Sequence, residues 1–196
     1  EGGAVDVLLN KAIEKYELDR QAILGKVRRM NPSRQLMAIR TRRLQAAFLP
    51  EQWASMAEEL GFEMILTAND IWPGMQGSVL VVKQELIDED PQAVKELVAV
   101  TEQATDWIKR YPDQSAAIVA RRLSMYGRSV DHISVGDTTD EMEMSPAMML
   151  RSMNRLQYTT EIEIDDVQEM IEYAARLGYI KKDFSAAEIV DRRFLR

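Results

Sequence analysis

Cysteine is absent from the 196 residues, which excludes disulfides, thiolate metal sites and cysteine nucleophiles. Histidine occurs once, as His132, so neither a histidine-rich metal site nor a Ser-His-Asp triad can be assembled from it. It lies in a polar stretch and reads as a surface-loop residue. Positive charge is in deficit: 25 Lys and Arg stand against 32 Asp and Glu, a net charge of −7. A chain that lacks a basic footprint is poorly suited to phosphate backbones, so nucleic acid is not expected as a partner. No apolar run approaches the ~18 residues a membrane-crossing helix needs. A signal peptide is missing too, so the expectation is that the sequence is a mature form or has lost its N-terminus.

What is present is an ordinary globular composition, 46% hydrophobic and 29% charged, enough for one large domain or two lobes of about 100 residues each. Apolar residues at Val5, Leu8, Leu9, Ala12, Ile13 and Tyr16 have helical spacing and predict a helix starting almost at once. Asn31-Pro32 and Pro50 open two more, the second closed by Gly61. Between them, residues 44–48 and 62–66 read as buried strands, with a shorter strand around Val27. The first 66 residues thus alternate helix and strand, as in an open parallel α/β sheet. Residues 67–77 carry Pro73, Gly74 and Gly77 and read as a crossing loop, and residues 78–82 (Ser-Val-Leu-Val-Val) as a central strand.

Beyond that point the pattern turns helical. Asp90-Pro91 caps a long helix with Val94, Leu97, Val98, Thr101, Ala104, Trp107 and Ile108 inward, and Tyr111-Pro112-Asp113 starts the next. Residues 124–144, with an acidic tract at Asp137, Asp140, Glu141 and Glu143, read mostly as loop. Ser145-Pro146 opens a helix, and the pairs Asp165 with Gln168 and Ser185 with Glu188 have capping-box spacing.

Few residues stand out as chemistry. Gly2, Gly3 and Ala4 at a helix N-terminus would offer free N–H groups to an anion, or else form a simple chain end. Glu51 follows a predicted strand at the end where α/β sheets place their ligand loops. It equally complements the dipole of its own first helical turn. Asn69 lies in the crossing loop beside Trp72, either as a cleft contact or as an Asx turn. The basic residues Arg20, Lys26, Arg28, Arg29, Arg34, Arg40, Arg42 and Arg43 are spread over several elements and read as a solvated face. Met149 and Met153 are spaced for core packing with Leu150 and Leu156, against a soft-metal role. Glu161, Glu163, Asp165 and Asp166 lack calcium-loop spacing. No general acid and base accompany a nucleophile, so no catalytic residue, metal or cofactor is expected.

Residues 49–121 resemble solute-binding proteins of the nitrate, sulfonate and taurine uptake group of ABC transporters, which includes the NMT1/THI5-like thiamine-precursor binders. The likeness rests on Leu49-Pro50-Glu51, the apolar run at 78–82, the segment from Glu85 through Asp90-Pro91 to Lys95, and Trp107-Ile108 before Tyr111-Pro112-Asp113. Tyr158-Thr159, Gly178-Tyr179-Ile180 and Asp191-Arg192-Arg193-Phe194-Leu195 look like that group's closing segment. Proline precedes the acid at Pro50-Glu51, and Arg40-Thr41-Arg42-Arg43 stands where the group usually has a glycine; both departures weaken any transfer of substrate identity.

The resemblance implies an α/β, type II periplasmic-binding-protein-like fold. Residues 1–75 would form a second lobe missing its first strand. Residues 76–196 would supply the returning strand and the C-terminal helices of the first lobe, with about a hundred further residues before Glu1. It implies an extracytoplasmic receptor feeding an ABC permease, touching the membrane only through it, and holding a small anionic or zwitterionic solute against Gly2, Gly3, Ala4, Glu51 and Asn69. Two other readings stay open. One is a ligand-sensing domain of a regulator; the other is a relative of a thiamine-pyrimidine synthesis enzyme, whose histidine and cysteine chemistry this chain lacks. Edges left by a missing lobe would favour self-association or domain swapping.

Overall fold

A computed structural model of the chain describes residues 2–130 and 144–195. Ten α-helices and a closing 3-10 turn occupy these residues: α1 (Ala4–Lys15), α2 (Arg20–Leu24), α3 (Pro32–Arg40), α4 (Glu51–Glu59), α5 (Ala68–Ile71), α6 (Gln84–Glu89), α7 (Pro91–Arg110), α8 (Pro112–Val130), α9 (Pro146–Met153), α10 (Ile164–Arg176) and the turn Ala186–Glu188.

Local chemistry sets most of the boundaries. The Asn31 side chain accepts from Arg34 N–H at 2.9 Å and fixes the start of α3. Asp90 does the same for α7 through Ala93 at 3.0 Å, and Ser145 for α9 through Met148 at 3.1 Å. Gly61 and Gly178, at φ of +84° and +76°, follow α4 and α10 in the left-handed conformation that ends helices. The Ser185–Glu188 capping box forms as its spacing predicts. The Asp165–Gln168 box does not: α10 begins at Ile164 after Glu163, which makes no side-chain cap. Gln168 is drawn away by tertiary partners, accepting from Ala186 N–H at 2.7 Å and donating to the Phe184 carbonyl at 3.3 Å.

The chain divides into two compact units, one of Glu1–Arg29, Ile65–Thr105 and Thr159–Arg196, the other of Met30–Met64 and Asp106–Tyr158. The expected boundary at residue 75 falls inside the first unit, because each unit is assembled from segments distant in sequence. In the first unit α1 packs on α5, and α10 on the 3-10 turn. Its buried side chains include Val7, Ile13, Ile71, Trp72, Val94, Ile171 and Tyr173. In the second unit α4 and α8 both pack on α9, and α3 on α4. Leu36, Ile39, Met56, Ala57, Ala116, Ala120, Met148, Met149 and Met153 form its core. The methionines thus fill apolar space, the use to which a flexible unbranched thioether is suited.

The expected strands are the main departure. Among the described residues no strand is formed at 44–48, 62–66 or 78–82, and α2 ends in a turn just before Val27. Periodicity and β-branching specify an apolar extended run, but a strand exists only when a neighbour accepts its backbone hydrogen bonds. Among the described residues no backbone hydrogen bond joins 45–48, 63–66 or 78–82 to another segment, and Ile65 and Val81 are each 80% exposed. The face of α7 expected inward is likewise buried at Val94 but 43% exposed at Leu97 and 36% at Trp107. Residues 131–143, with His132 and the acidic tract, lie outside the described residues; residues 124–130, expected as loop, continue α8.

Candidate functional site

The N-terminus of α1, where Gly2, Gly3 and Ala4 stand, begins without a side-chain cap, as do α4, α6 and α10 among the described residues. Gly3 is the N-cap and carries no capping side chain, so the first-turn amides and the positive end of the helix dipole are not screened by one. Gly2 is favoured by its φ of +82°, and a Cβ there would meet the Tyr179 ring at an ordinary contact distance of 3.4 Å. That ring follows α10, so the glycine turn is seated against the C-terminal end of another helix.

Two further contacts surround this turn. Asn10, one of the buried polar residues at 3% exposure, donates from Nδ2 to the Asp6 carbonyl at 2.7 Å and to the Tyr179 hydroxyl at 3.2 Å. Arg29 pairs with the Asp6 carboxylate at 3.2 Å. Asp6 stands in the first turn of α1, where its charge would repel an incoming anion; the guanidinium beside it offsets that charge.

Asn69 is not brought to this turn. It is exposed on α5, and the next residue's carbonyl accepts from Lys15 Nζ at 2.6 Å, at the opposite end of α1. Twelve helical residues separate the two ends by about 18 Å. The Asx-turn alternative is displaced as well: Thr67 and Asp70 cap α5 reciprocally, with Asp70 accepting from Thr67 N–H at 2.8 Å and from its hydroxyl at 2.6 Å. These bonds hold the Asp70 carboxyl below its ordinary pKa.

Glu51 belongs to the second unit and is engaged there. It accepts from the Ser55 hydroxyl at 3.0 Å and from Arg155 at 3.2 Å. Arg155, in the turn after α9, faces Glu58 more closely, at 2.9 Å from Nη2 and 2.7 Å from Nη1. The first of these is a hydrogen bond; the second is an ion-pair contact outside hydrogen-bond geometry, leaving Glu58 Oε2 without a hydrogen-bond donor. The bond to Glu58 raises the guanidinium's pKa, burial opposes the rise, and the bond to Glu51 adds to it. Glu51 therefore ties α4 to the end of α9. A neighbouring surface pair, Arg151 with Glu59, joins the same two helices.

Another polar cluster escaped sequence reasoning. Lys11 Nζ lies 4.2 Å from the Trp72 ring centre and 5.1 Å from that of Tyr173, and pairs with Glu169 at 2.9 Å. The two rings meet edge to face at 5.4 Å, and Arg176 covers Tyr173 at 4.7 Å. Burial, with Glu14 adding to it, pushes the Tyr173 hydroxyl up to about 12. A shallow cavity of about 350 Å³ opens between Lys11, Glu169, Glu172, Tyr173, Arg176 and Asp183. Cations cover the aromatic faces from within the chain, while the buried Tyr173 hydroxyl has no hydrogen-bond partner among the described residues. The cluster's members are separated by up to 165 positions, from Lys11 to Arg176, and no local spacing announces it. No group of metal-binding side chains occurs among the described residues, and no helix there is long and apolar enough to cross a membrane.

Comparison with known proteins adds what geometry alone does not. Proteins named "Putative binding protein" from Brucella abortus (strain 2308), Brucella suis biovar 1 and Brucella melitensis biotype 1 are each 30% identical over 131 residues. The match takes in 64% of this chain and 40% of each relative, so the chain matches well under half the length of these curated relatives. No solved structure matches it. The model of the NMT1-like family matches residues 1–124, which takes in the glycine turn, Glu51, Asn69 and the apolar run at 78–82. The chain belongs to the NMT1-like family.

Proposed function

We propose that this chain is part of an extracytoplasmic solute-binding receptor of an ABC importer, which captures a small anionic or zwitterionic organic solute and catalyses nothing. Family membership carries the reading, together with relatives whose names say that they bind. It implies a type II periplasmic-binding-protein-like architecture in which the extended runs at 44–48, 62–66 and 78–82 serve as strands. Within the chain, the uncapped N-terminus of α1 is the feature suited to such a solute. Amides of a first helical turn hold sulfonate, carboxylate or nitrate oxygens without a cationic side chain, and Arg29 beside Asp6 lowers the local negative charge.

Of the expected contacts we retain Gly2, Gly3 and Ala4 as the anion turn. Glu51 would serve a ligand only by leaving Arg155, and Asn69 is exposed on α5, which docks at the opposite end of α1 from that turn. The test is a thermal-shift screen of sulfonates, nitrate, amino acids and pyrimidines, run on this chain and on its full-length parent. Ligand at 100 times its dissociation constant adds about 2.7 kcal/mol to stability. A full-length protein that no class stabilises refutes the receptor reading. A hit that survives Gly3→Pro unchanged in affinity removes the α1 turn from the site.

A further inference from the structure

The amides proposed to hold the solute begin at two consecutive glycines, and glycine by itself does not fix a turn. Lacking a Cβ, it reaches positive and negative φ about equally well. Gly3, the N-cap, makes no side-chain bond, and a Cβ built on it would meet nothing within 4 Å. Backbone amides hold an anion well only when they already point together, because ordering them on binding subtracts from affinity. The side chain that faces this pair comes from the other end of the sequence. A Cβ on Gly2 would meet Cγ, Cβ and Cδ1 of Tyr179 at 3.4, 3.5 and 3.6 Å. Tyr179 is itself held at both ends. Its N–H bonds to the Ala174 carbonyl at 2.9 Å, just past the left-handed Gly178 that closes α10. Its hydroxyl accepts from Asn10 Nδ2 at 3.2 Å, and the same Nδ2 donates to the Asp6 carbonyl at 2.7 Å.

We infer that Asn10 and Tyr179 are positioning residues for the anion turn: the Tyr179 ring, laid along α1 by its bond from Asn10, keeps Gly2 left-handed and the first-turn amides aligned. The inference rests on the reading of that turn as the solute site, and neither residue need touch the solute. Asn10 is 3% exposed and its Oδ1 has no donor among the described residues. A leucine of similar size would fill the place without an orphaned oxygen, so packing does not explain the carboxamide. Its bonds to Asp6 and Tyr179 do. The contacts form a closed circuit: Gly2 to the ring, the hydroxyl to Asn10, Asn10 to Asp6, and Asp6 back along the first helical turn to the glycines. Every member lies inside the first unit, and the one bond that closes the circuit spans 169 positions. Asp6 is thereby held from both sides, its carbonyl by Asn10 and its carboxylate by Arg29.

The test is heteronuclear NMR on this chain, with sodium methanesulfonate and sodium nitrate as probes. In the wild type the heteronuclear NOE at Gly3 and Ala4 should match the interior of α1, and the probes should shift those amides. Tyr179→Phe, which keeps the ring, and Asn10→Leu should each weaken methanesulfonate by about two- to tenfold, the effect of one neutral hydrogen bond. The double variant should be no weaker than Asn10→Leu alone, because both changes remove the same bond between them. Tyr179→Ala should lower the NOE at Gly3 and Ala4 to chain-end values and weaken the probe further than any variant that keeps the ring. Affinities are read well below Tm on chains with unchanged helical circular dichroism, where a merely structural role lowers Tm and leaves binding as it was. Variants that lose Tm alone overturn the inference, as does a Tyr179→Ala chain whose Gly3 and Ala4 stay ordered. If Tyr179→Ala does not fold, Tyr179→Phe and Asn10→Leu carry the same decision. Wild-type amides that neither probe shifts refute the anion reading instead, and the NOE still decides whether Tyr179 seats the turn.

Discussion

Arg155 is the residue whose removal tests the second unit most directly. Its guanidinium is 26% exposed, and the carboxylates it faces, Glu58 and Glu51, are 24% and 17% exposed. Exposed ion pairs contribute about 0–1 kcal/mol, while breaking a buried pair from one side costs about 3–5 kcal/mol. A pair that is three-quarters buried, and whose loss leaves two carboxylates on one helix without their cation, falls between these limits. Arg155→Met is therefore expected to destabilise by about 2 kcal/mol. In a urea titration with an m-value near 2 kcal/mol/M, that lowers the midpoint by about 1 M. Arg155→Lys should recover part of this and no more, because an ammonium cannot face two carboxylate oxygens as the planar fork does. In a double-mutant cycle with Glu58→Gln, the coupling should be about 1 kcal/mol or larger. The reasoning is refuted if Arg155→Met unfolds within about 0.5 kcal/mol of the parent, the range expected of an ordinary surface change.

Two pH measurements probe the first unit. Tyr173 titrates at about 12 because burial disfavours its phenolate; its folded pKa lies above the unfolded one, so its contribution to stability is present below pH ~10 and lost as pH rises through the folded value. Absorbance at 295 nm should show a late-titrating tyrosine that Tyr173→Phe abolishes; an unchanged curve in the variant would remove Tyr173 as its source. Asp70 shifts the other way, lowered first by its hydrogen bonds from Thr67. Its capping contribution is present at neutral pH, above the unfolded carboxyl value, and lost as pH falls through the folded value. Carbon-detected NMR should show the Asp70 pKa rising toward the ordinary value in Thr67→Ala, and no change would exclude the capping box as the cause.

The sequence by itself determined the longer helices, whereas the short α2 and α6 were not read from it and α5 formed within the stretch expected as a crossing loop. Proline at the first position of α3, α7, α8 and α9, the caps at Asn31, Asp90 and Ser145, and the glycines after α4 and α10 act over four residues or fewer. Such signals are complete within the segment that carries them. Membership of the solute-binding family was legible for a related reason: a run of short motifs keeps its order along the chain.

Tertiary structure decided the rest. Gln168 satisfies the spacing of a capping box, yet bonds to Ala186 and Phe184 because those groups are carried to it by a packed turn. Glu51 read equally as a ligand contact and as a dipole partner. Arg155, 104 positions away, gives it a role that neither reading contained. Asn69 and the glycine turn looked like members of one cleft until α5 docked at the far end of α1. The runs at 62–66 and 78–82 are the limiting case. Their residues specify extended backbone and apolar faces, but a strand's hydrogen bonds belong to its neighbour as much as to itself, and a neighbour cannot be read from the run.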